Sequence, residues 1–431
     1  MAKDRMILGN GENCIFTTDS EVTGLNNNVL VVGASGSGKT MSVSEACLLE
    51  TYHSSLLISI TKKRIAAKYS PILLERGMEV FNLDFVHPSS GDIGYDPLDY
   101  IDEYSDITFL SKSIVLADGN SVSDDPYWSQ TAVTLLSAEI SYVLMTNDNP
   151  TFADVLDMND KLEFISSDGV IRTSYDEMFD RLAEVDPTCF AVSCWRTFKK
   201  LPIKTASCVF STLNATIASI FSPELRKMFR LKNKVDFKRI ASRKTVLFVT
   251  TSAVNPSLNS FVNMFYGHAF KQLFEYAEEQ PNGKLPIPVR VLADDGATGC
   301  PIPMLDSYIS IFREKDISIT LLLQSESQLV SLYNESRATT ITNNCDTYVF
   351  LGSMDLHTGK NISLKANVPL DEVLYMPVGS EILFRRGQKP IFTTRYNIRN
   401  NPLYQEITRK YEARISEQMS PAMDELGGWG F

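Results

Sequence analysis

The stretch from Asn27 to Val43 limits the possible folds of this 431-residue chain more than any other part of the sequence. After two asparagines come four apolar β-forming residues, 29–32, and then a run of small residues that ends in Lys39-Thr40 and is followed by helix-compatible sequence. Small residues between a strand and a helix allow a tight turn whose N–H groups, at the helix N-terminus, bind anions. The stretch therefore predicts a strand, a phosphate-binding loop and a helix in succession.

Eight consecutive residues match the pattern G-x-x-x-x-G-K-[ST] of nucleotide-binding loops: Gly33, Ala34, Ser35, Gly36, Ser37, Gly38, Lys39 and Thr40. In such a loop the backbone N–H groups surround the β-phosphate, Lys39 contacts the β- and γ-phosphates, and the Thr40 hydroxyl is a ligand of Mg²⁺. The alternative is a turn rich in glycine and serine that matches by chance, and the flanking strand and helix argue against it. We therefore expect ATP and Mg²⁺ to bind here.

A second apolar run, PVRVLADDGATG, ends in the acidic pair Asp294-Asp295. A nucleotide-hydrolysing site of this kind needs one carboxylate beside Mg²⁺ and a second that activates water. We predict that Asp294 is the carboxylate beside Mg²⁺ and that Asp295 is the catalytic base that activates water. Two acids after a strand are also common in plain turns, and the phosphate-binding loop elsewhere in the chain favours the catalytic interpretation.

Two further residues are candidates for contact with the γ-phosphate. Gln324 ends the apolar run 317–323, where a polar side chain at the tip of a strand can sense that phosphate. Arg313 precedes the same run, and its permanently charged guanidinium suits a phosphate bound to a neighbouring subunit. Either residue is also compatible with an ordinary surface position.

Apolar runs and helical patterns alternate over the first hundred residues, which predicts an α/β fold with a mostly parallel sheet. From residue 102 to 234 helical periodicity dominates, and strand-like runs return after it. We therefore expect a nucleotide-binding domain in two parts, 1–101 and 235–397, with an all-α domain inserted between them. The tail, 398–431, ends in acidic and glycine-rich sequence, and we expect it to be mobile.

Composition excludes several classes of protein. The net charge of −11 argues against a generally basic, nucleic-acid-coating surface, although it leaves room for a local basic channel. The densest basic stretches, 226–244 and 60–68, are compatible with such a channel or with solvated helix faces. No apolar run is long enough to span a membrane, no signal peptide is evident, and the seven scattered cysteines indicate reduced cytosolic thiols.

Several segments together resemble the TraG-type coupling ATPases of type IV secretion and conjugation, which are relatives of the FtsK/HerA DNA motors. They extend from Asn27 to Asn397 and include the phosphate-binding loop, GMEVFNLDFVHPSSGDIGYDPLDYI, DDPYWSQTAVTLLSAEI, FSPELRKMF, RKTVLFVTTS, VLADDGATG, LLLQSESQLVSLY and NNCDTYVFLGSMD. The family's interface arginine lies 18 residues after the second acid and 11 before the glutamine, and Arg313 and Gln324 occupy both places.

The resemblance implies a RecA-like P-loop NTPase that assembles as a homo-hexamer, with the inserted all-α domain facing the DNA entrance of the ring. It also implies partners: DNA, in single-stranded form or as a relaxase–DNA complex, and either channel components or a membrane anchor protein. The expected location is the cytoplasm, at the inner face of the membrane through a partner.

Three departures from the family pattern bear on function. The family has Asp-Glu where this chain has Asp294-Asp295, and the shorter second carboxylate is expected to slow hydrolysis. The family's DPKGE appears here as ITKKR, residues 60–64, which keeps only the lysine. Relatives usually begin with transmembrane helices, whereas this chain starts close to the phosphate-binding loop, so we expect membrane contact through a partner or a soluble role.

The sequence thus predicts an ATP-driven coupling protein that passes DNA, or a protein–DNA substrate, to a type IV secretion channel. A DNA-pumping or packaging ATPase unrelated to secretion is one alternative. A nucleotide-gated substrate adaptor with little turnover is another, and the shortened carboxylate of Asp295 makes it worth testing.

Overall fold

A computed structural model describes residues 4–116, 126–167, 170–252, 256–294 and 301–426. Its strands are β1 (Arg5–Ile7), β2 (Ile15–Thr17), β3 (Val29–Val32), β4 (Ser55–Ile60), β5 (Glu79–Asp84), β6 (Phe164–Ser167), β7 (Val170–Thr173), β8 (Thr245–Thr250), β9 (Val289–Ala293), β10 (Ile317–Leu323), β11 (Thr347–Phe350), β12 (Ser380–Arg385) and β13 (Ile391–Thr394).

The α-helices in the first half of the chain are α1 (Ser20–Thr23), α2 (Glu45–Leu49), α3 (Arg64–Glu75), α4 (Tyr104–Val115), α5 (Pro126–Thr146), α6 (Phe152–Asn159), α7 (Asp176–Val185), α8 (Phe190–Lys199) and α9 (Ile203–Ile220). Those that follow are α10 (Pro223–Met228), α11 (Phe237–Ser242), α12 (Pro256–Glu278), α13 (Leu305–Tyr308), α14 (Glu326–Asn343), α15 (Leu356–Ala366), α16 (Leu370–Leu374) and α17 (Pro402–Leu426).

Nine strands form the central sheet, in the order β13-β12-β11-β3-β10-β9-β4-β8-β5. The seven strands from β11 to β5 are parallel, and β12 and β13 extend the β11 side as antiparallel strands. Strands β3, β4, β8, β9 and β10 are buried along their whole length, as expected for parallel strands covered by helices on both faces. The predicted α/β fold with a mostly parallel sheet is confirmed.

We call the edge of the sheet at which the parallel strands end the carboxyl edge, and the opposite one the amino edge. Antiparallel β12 begins at the carboxyl edge, because Ile382 near its start pairs with Phe350 at the end of parallel β11. Strand β13 ends at the same edge, since Thr394 pairs with Ser380. Parallel strands bring all the loops that follow them to one edge, and ligands of α/β proteins bind there.

The block from 102 to 234 contains helices α4 to α10, as its helical pattern predicts. It also contains the antiparallel hairpin β6–β7, so the described part of this block is not purely helical. The hairpin was missed because each strand has only four residues and shows no clear alternation of apolar and polar side chains. One hydrophobic cluster joins the block to the sheet and includes Leu30, Leu247 and Trp195, so the proposed boundaries at 101 and 234 divide a shared core.

The densest basic stretch of the sequence lies at the end of this block, and most of its charges are neutralised. Six of its basic side chains form ion pairs with carboxylates: Arg226, Arg230, Lys234, Lys238, Arg239 and Arg243. In the shorter stretch, 60–68, Lys63 pairs with Asp84 at 2.6 Å. Lys62 and Arg64 beside it are exposed and have no ion-pair partner among the described residues.

The C-terminal segment, expected to be mobile, forms α17 as far as Leu426. Its first turns pack on α3, where Lys68 Nζ lies 3.5 Å from the centre of the Tyr404 ring and Arg414 donates to Ala67 O at 3.3 Å. Across the described ranges, no helix is both long and apolar enough to cross a lipid bilayer. The cysteines described by the structure are not paired in disulfides: Cys14, Cys47, Cys189, Cys194, Cys208 and Cys345.

Candidate nucleotide-binding site

The loop between β3 and the helix at Thr40 has the backbone geometry of a phosphate-binding loop. Gly36 and Gly38 have φ values of 77° and 92°, a region in which side chains other than glycine are strained. The loop is anchored to its neighbours in the sheet by two backbone hydrogen bonds: Gly33 donates to the end of β10 at 3.1 Å, and Ala34 donates to Gly352 at 2.8 Å. The helix begins with one π-helical turn, Thr40–Ser44, which continues into α2.

Lys39 lies inside the curve of this loop. Its Nζ donates to Gly33 O at 2.6 Å and to Ala34 O at 3.3 Å, and the residue is 7% exposed. A buried ammonium group that contacts loop carbonyls is available to a bound phosphate with little loss of side-chain freedom. The position fits the role that the sequence motif assigns to this lysine.

Thr40 and Asp294 meet at the start of the helix. Thr40 Oγ1 donates to Asp294 Oδ2 at 2.7 Å, and Ser44 Oγ, one turn further along, donates to the same oxygen at 3.3 Å. A hydroxyl next to a carboxylate is the oxygen donor set that Mg²⁺ takes in phosphoryl-transfer sites. The structure therefore brings together the two predicted metal ligands, which lie 254 positions apart in the sequence.

Ser59 fixes the position of Asp294. Its hydroxyl donates to Asp294 O at 2.7 Å and accepts from Asp294 N at 2.6 Å, so the end of β9 is tied to β4. Neither Ser59 nor Ser44 was predicted. A serine within a buried strand is a weak signal, since its function appears only when the neighbouring strand is known. Asp295, the predicted catalytic base, lies outside the described residues.

Gln324 lies at the carboxyl edge, next to the loop. It follows β10, the parallel neighbour of β3, and its side chain is exposed. Its backbone N–H donates to Gln328 Oε1 at 3.0 Å, which fixes the turn into α14. The structure therefore places Gln324 on the same side of the sheet as Lys39 and Asp294.

Arg313 lies at the opposite edge. It belongs to the short turn Phe312–Lys315, which precedes β10, and β10 is seven residues long. At 3.3 Å per residue, that strand separates Arg313 from the carboxyl edge by roughly 20 Å. The side chain is exposed and has no hydrogen bond or ion pair within the described ranges. The structure therefore does not bring Arg313 to the loop of its own chain.

Arg313 lines a groove of about 280 Å³ at the amino edge, together with acidic and basic side chains. Glu21 in this groove pairs with Lys284 at 2.9 Å. Asp316 also faces the groove; burial raises its pKa, and the charge of Lys284 opposes that shift. The groove is polar and open, in contrast to the enclosed position of Lys39.

Arg395 is a residue of the site that sequence reasoning missed. It follows β13, whose end lies at the carboxyl edge, and its Nη1 donates to Ser37 O of the loop at 2.6 Å. The two residues are 358 positions apart, and β13 was not predicted. An arginine directly after a short β-rich run, IFTTR, was the available signal, but nothing in the sequence connects that run with the loop.

These features define a P-loop nucleotide-binding protein with a RecA-like sheet. The chain belongs to the type IV secretory system conjugative DNA transfer family, whose model matches residues 2–366. The predicted family is therefore confirmed. No curated protein sequence matches the chain.

Solved structures show the same fold. A structure of the bacterial conjugative coupling protein TrwB with sulphate has a TM-score of 0.67 at 16% identity, with 92% of this chain and 91% of that one covered. A structure of TrwB in complex with ADP and Mg²⁺ also has a TM-score of 0.67 at 16% identity, with 92% and 90% covered. VirB4 of Thermoanaerobacter pseudethanolicus has a TM-score of 0.55 at 12% identity, with 93% and 98% covered. The predicted RecA-like fold with its inserted helical block is confirmed.

Proposed function

We propose that this chain is an ATP-driven coupling protein that recruits DNA, or a relaxase–DNA complex, and passes it to a type IV secretion channel. The observation that carries the nucleotide part of the proposal is the contact of Thr40 with Asp294 beside a glycine-rich loop. Family membership supports the DNA-transfer part. TrwB, which has the same fold, has been solved with a non-hydrolysable ATP analogue and with ADP and Mg²⁺, and this supports ATP and Mg²⁺ as the ligands here.

Each residue of the site has a distinct role in this proposal. Lys39 and the loop N–H groups hold the β- and γ-phosphates, and Thr40 and Asp294 hold Mg²⁺. When bound, Mg²⁺ neutralises charge that develops on the phosphate oxygens. Asp295 accepts the proton of the attacking water, and Gln324, next to the loop, responds to the presence of the γ-phosphate.

Arg313 acts on the nucleotide of a neighbouring subunit. The roughly 20 Å length of β10 keeps it from its own loop, and its exposed guanidinium is free to enter an adjacent site. A cation supplied across an interface stabilises charge in the transition state of phosphoryl transfer. This arrangement needs a closed ring, because only a ring gives every loop a neighbouring arginine. We propose a homo-hexamer, as the resemblance implies.

We further propose that DNA contacts the loop at the end of β4. Lys62 and Arg64 are exposed there at the carboxyl edge without ion-pair partners among the described residues, whereas most of the longer basic stretch is neutralised by carboxylates. Free cations at a local site provide DNA affinity to a chain whose net charge is −11. The protein acts in the cytoplasm, at the inner face of the membrane, where a membrane anchor protein or channel components bind it.

Steady-state ATPase assays with and without single-stranded DNA test the proposal. We expect turnover that DNA stimulates, and the double variant Lys62→Ala, Arg64→Ala should keep basal turnover and lose the stimulation. The control is Lys232→Ala, an exposed lysine of the other basic stretch. If DNA stimulates the parent, the double variant and the control equally, the proposal that DNA contacts this loop is contradicted. Co-purification with a relaxase or with channel components distinguishes secretion from DNA packaging.

The second candidate function is a nucleotide-gated adaptor with little turnover. The observation in its favour is Asp295, which is one methylene shorter than the family's glutamate. Asp295→Glu should restore the reach of the carboxylate and raise turnover without a change in ATP affinity, and Asp295→Asn should nearly eliminate turnover. If Asp295→Asn hydrolyses ATP at the parental rate, either the base lies elsewhere or the chain works as a nucleotide-gated adaptor; a low parental rate then favours the adaptor.

A further inference from the structure

Arg395 lies against the last residues of the phosphate-binding loop. Its Nη1 donates to Ser37 O at 2.6 Å, and a Cβ atom on Gly38 would lie 2.7 Å from the same nitrogen. The positive φ of Gly38 favours glycine at this position, and the absence of a Cβ atom leaves room for the guanidinium beside it. Lys39 follows directly in the chain, so one cation approaches the loop from within and another from outside.

The guanidinium of Arg395 is only partly used by its own chain. It has five N–H donors and a permanent charge, and Ser37 O is its one hydrogen-bond acceptor among the described residues. Two other half-buried arginines have carboxylate partners: Arg226 pairs with Asp160 at 2.5 Å, and Arg337 pairs with Asp306 at 2.6 Å. Half-buried Arg76 lacks a carboxylate but donates to three backbone carbonyls instead of one. A half-buried cation without such a partner, next to a loop built to bind anions, is suited to an anionic ligand.

A cleft of about 480 Å³ adjoins this arginine. Its walls are the loop and first helical turn on one side and the segment after β13 on the other: Gly36, Gly38, Met41, Ser42, Gly379, Arg395, Tyr396, Asn397, Ile398 and Arg399. The volume lies within the range of small-molecule sites, and the apolar surface of Met41 and Tyr396 lies within reach of a group attached to a phosphate on the loop.

We propose that Arg395 is a second phosphate-binding cation that acts in cis, and that residues 395–399 form a wall of the nucleoside pocket. This inference rests on the proposed function, because it requires a nucleotide on the loop. The guanidinium can keep its bond to Ser37 O and direct further N–H groups to the phosphates, since its donors form a planar fork.

The proposal gives the antiparallel edge of the sheet a role in nucleotide binding. Gly379 directly precedes β12 and Arg395 directly follows β13, and Arg395 N donates to Gly379 O at 2.9 Å. The N-terminal segment holds the end of β13 through Asn10, whose backbone N–H donates to Thr394 O at 2.8 Å and whose carbonyl accepts from Thr393 Oγ1 at 2.8 Å. Residues near the start of the chain therefore support the pocket by holding the end of β13.

Titration of the full chain with Mg²⁺–ADP tests the proposal, with Arg395→Ala, Arg395→Lys and the control Lys389→Ala. Lys389 is exposed in the turn of the same hairpin, so the control removes one positive charge far from the loop. We expect Arg395→Ala to weaken binding at least tenfold, Arg395→Lys to weaken it less, and Lys389→Ala to bind within twofold of the parent. Melting temperatures without ligand establish that each variant is folded.

Salt dependence separates a phosphate contact from a structural clamp on the loop. If Arg395 contacts phosphate, affinity in Arg395→Ala falls less steeply with added salt than in the parent, because one ion pair is missing, and Arg395→Lys restores the slope. The proposal is overturned if Arg395→Ala binds within twofold of the parent, or binds more weakly with an unchanged salt slope. Lys39→Ala serves as the reference: if it also binds Mg²⁺–ADP like the parent, the nucleotide site itself is wrong.

Discussion

The two edges of the central sheet hold their charged groups in different ways. At the carboxyl edge, Lys39 and Asp294 are 7% and 5% exposed, and carbonyl and hydroxyl groups of the same chain fix both of them. At the amino edge, Arg313 is exposed in a polar groove and has no described partner. The first arrangement is a site preorganised within one chain, and the second is a charge available to another molecule.

In the proposed function, this difference gives each edge a separate part of one reaction. Preorganised groups in a buried site stabilise developing charge at little reorganisation cost. The role proposed for Arg313 requires a neighbouring subunit, and this would link turnover to assembly. The comparison therefore predicts that variants at the carboxyl edge lose nucleotide binding or turnover in the subunit that carries them. Variants at the amino edge should instead lower the turnover of the neighbouring subunit.

The largest effect is expected from Lys39→Ala. Loss of the buried ammonium group removes contacts with two phosphates, so nucleotide binding and turnover should both fall below detection while the fold remains. Binding assays and circular dichroism measure the two properties separately. The control is Lys63→Ala at the same edge, whose ammonium group pairs with Asp84 instead of contacting the loop. If Lys39→Ala has the nucleotide affinity and turnover of the parent, the loop is not the phosphate-binding site.

The second expected effect is confined to turnover. Arg313→Ala should bind ATP normally and lose turnover by roughly 100- to 1,000-fold, since an arginine supplied in trans has effects of that order or larger. The matched control is Lys284→Ala, which removes a cation from the same groove that is already paired with Glu21.

Mixed rings test whether the effect of Arg313 crosses an interface. Arg313→Ala keeps an intact loop, and Lys39→Ala keeps an intact arginine, so neighbouring subunits in a mixture can form complete sites. We expect the mixture to regain part of the parental turnover. If the mixture is no more active than either variant alone, the shared site is contradicted and the comparison between the two edges fails.

The third expected effect concerns Mg²⁺. Asp294→Asn should weaken Mg²⁺-dependent nucleotide binding by about tenfold or more, because the variant loses a negatively charged ligand, and binding measured in EDTA should change little. Ser44→Ala is the matched comparison, since Ser44 contacts the same carboxylate oxygen at a longer distance of 3.3 Å. Equal losses with and without Mg²⁺ would show that Asp294 has only a structural role.

The local motifs of the carboxyl edge could be predicted from the sequence, and the way in which they meet could not. The strand before the loop and the strand that ends at Ala293 are short, mostly apolar runs of four and five residues, and the glycine and lysine pattern has a known mechanism. Ser59 and Arg395 carry no such pattern, because their roles depend on which strands are neighbours in the sheet. The order of nine strands is a long-range property that periodicity does not contain.

The sequence also gives little indication of how burial and hydrogen bonds shift the pKa values of buried carboxyl groups. Asp4 at the amino edge accepts hydrogen bonds from the N–H groups of Tyr52, His53 and Ser54 at 2.6 to 2.8 Å. Burial raises the pKa of Asp4, but hydrogen bonds from Ser54 and these N–H groups outweigh burial and lower it overall. Glu381, near the carboxyl edge, is 2% exposed, and its Oε1 has no hydrogen-bond partner in the described part of the chain. Burial raises its pKa to about 9.

The smallest expected effect follows from this contrast and appears in the pH dependence of stability. Glu381 is protonated in the folded protein up to about pH 9, whereas its ordinary pKa is 4.5, so the folded state binds an additional proton between these values. Its contribution to stability is complete below pH 4.5 and decreases as the pH rises toward 9. Asp4 has the opposite sign: its contribution is present above its ordinary pKa of 3.8 and is lost as the pH falls through its lower folded value.

Melting temperatures from pH 3 to pH 9.5 distinguish the two carboxyl groups. Glu381→Gln keeps a neutral side chain of similar size. Its melting temperature should therefore fall by a few degrees less than that of the parent between pH 5 and pH 9, and should follow the parent in the acid part of the curve, below pH 5. Asp4→Asn should lower the melting temperature at neutral pH, because an amide oxygen accepts hydrogen bonds more weakly than a carboxylate, and should reduce the pH dependence only in the acid part of the curve.

Other buried acids, such as Glu139 with its pKa raised to about 8 by burial, titrate equally in parent and variants and cancel in the difference between their curves. If Glu381→Gln follows the parental curve throughout, Glu381 is charged in the folded protein, and the proposed contrast between the carboxyl groups at the two edges is wrong.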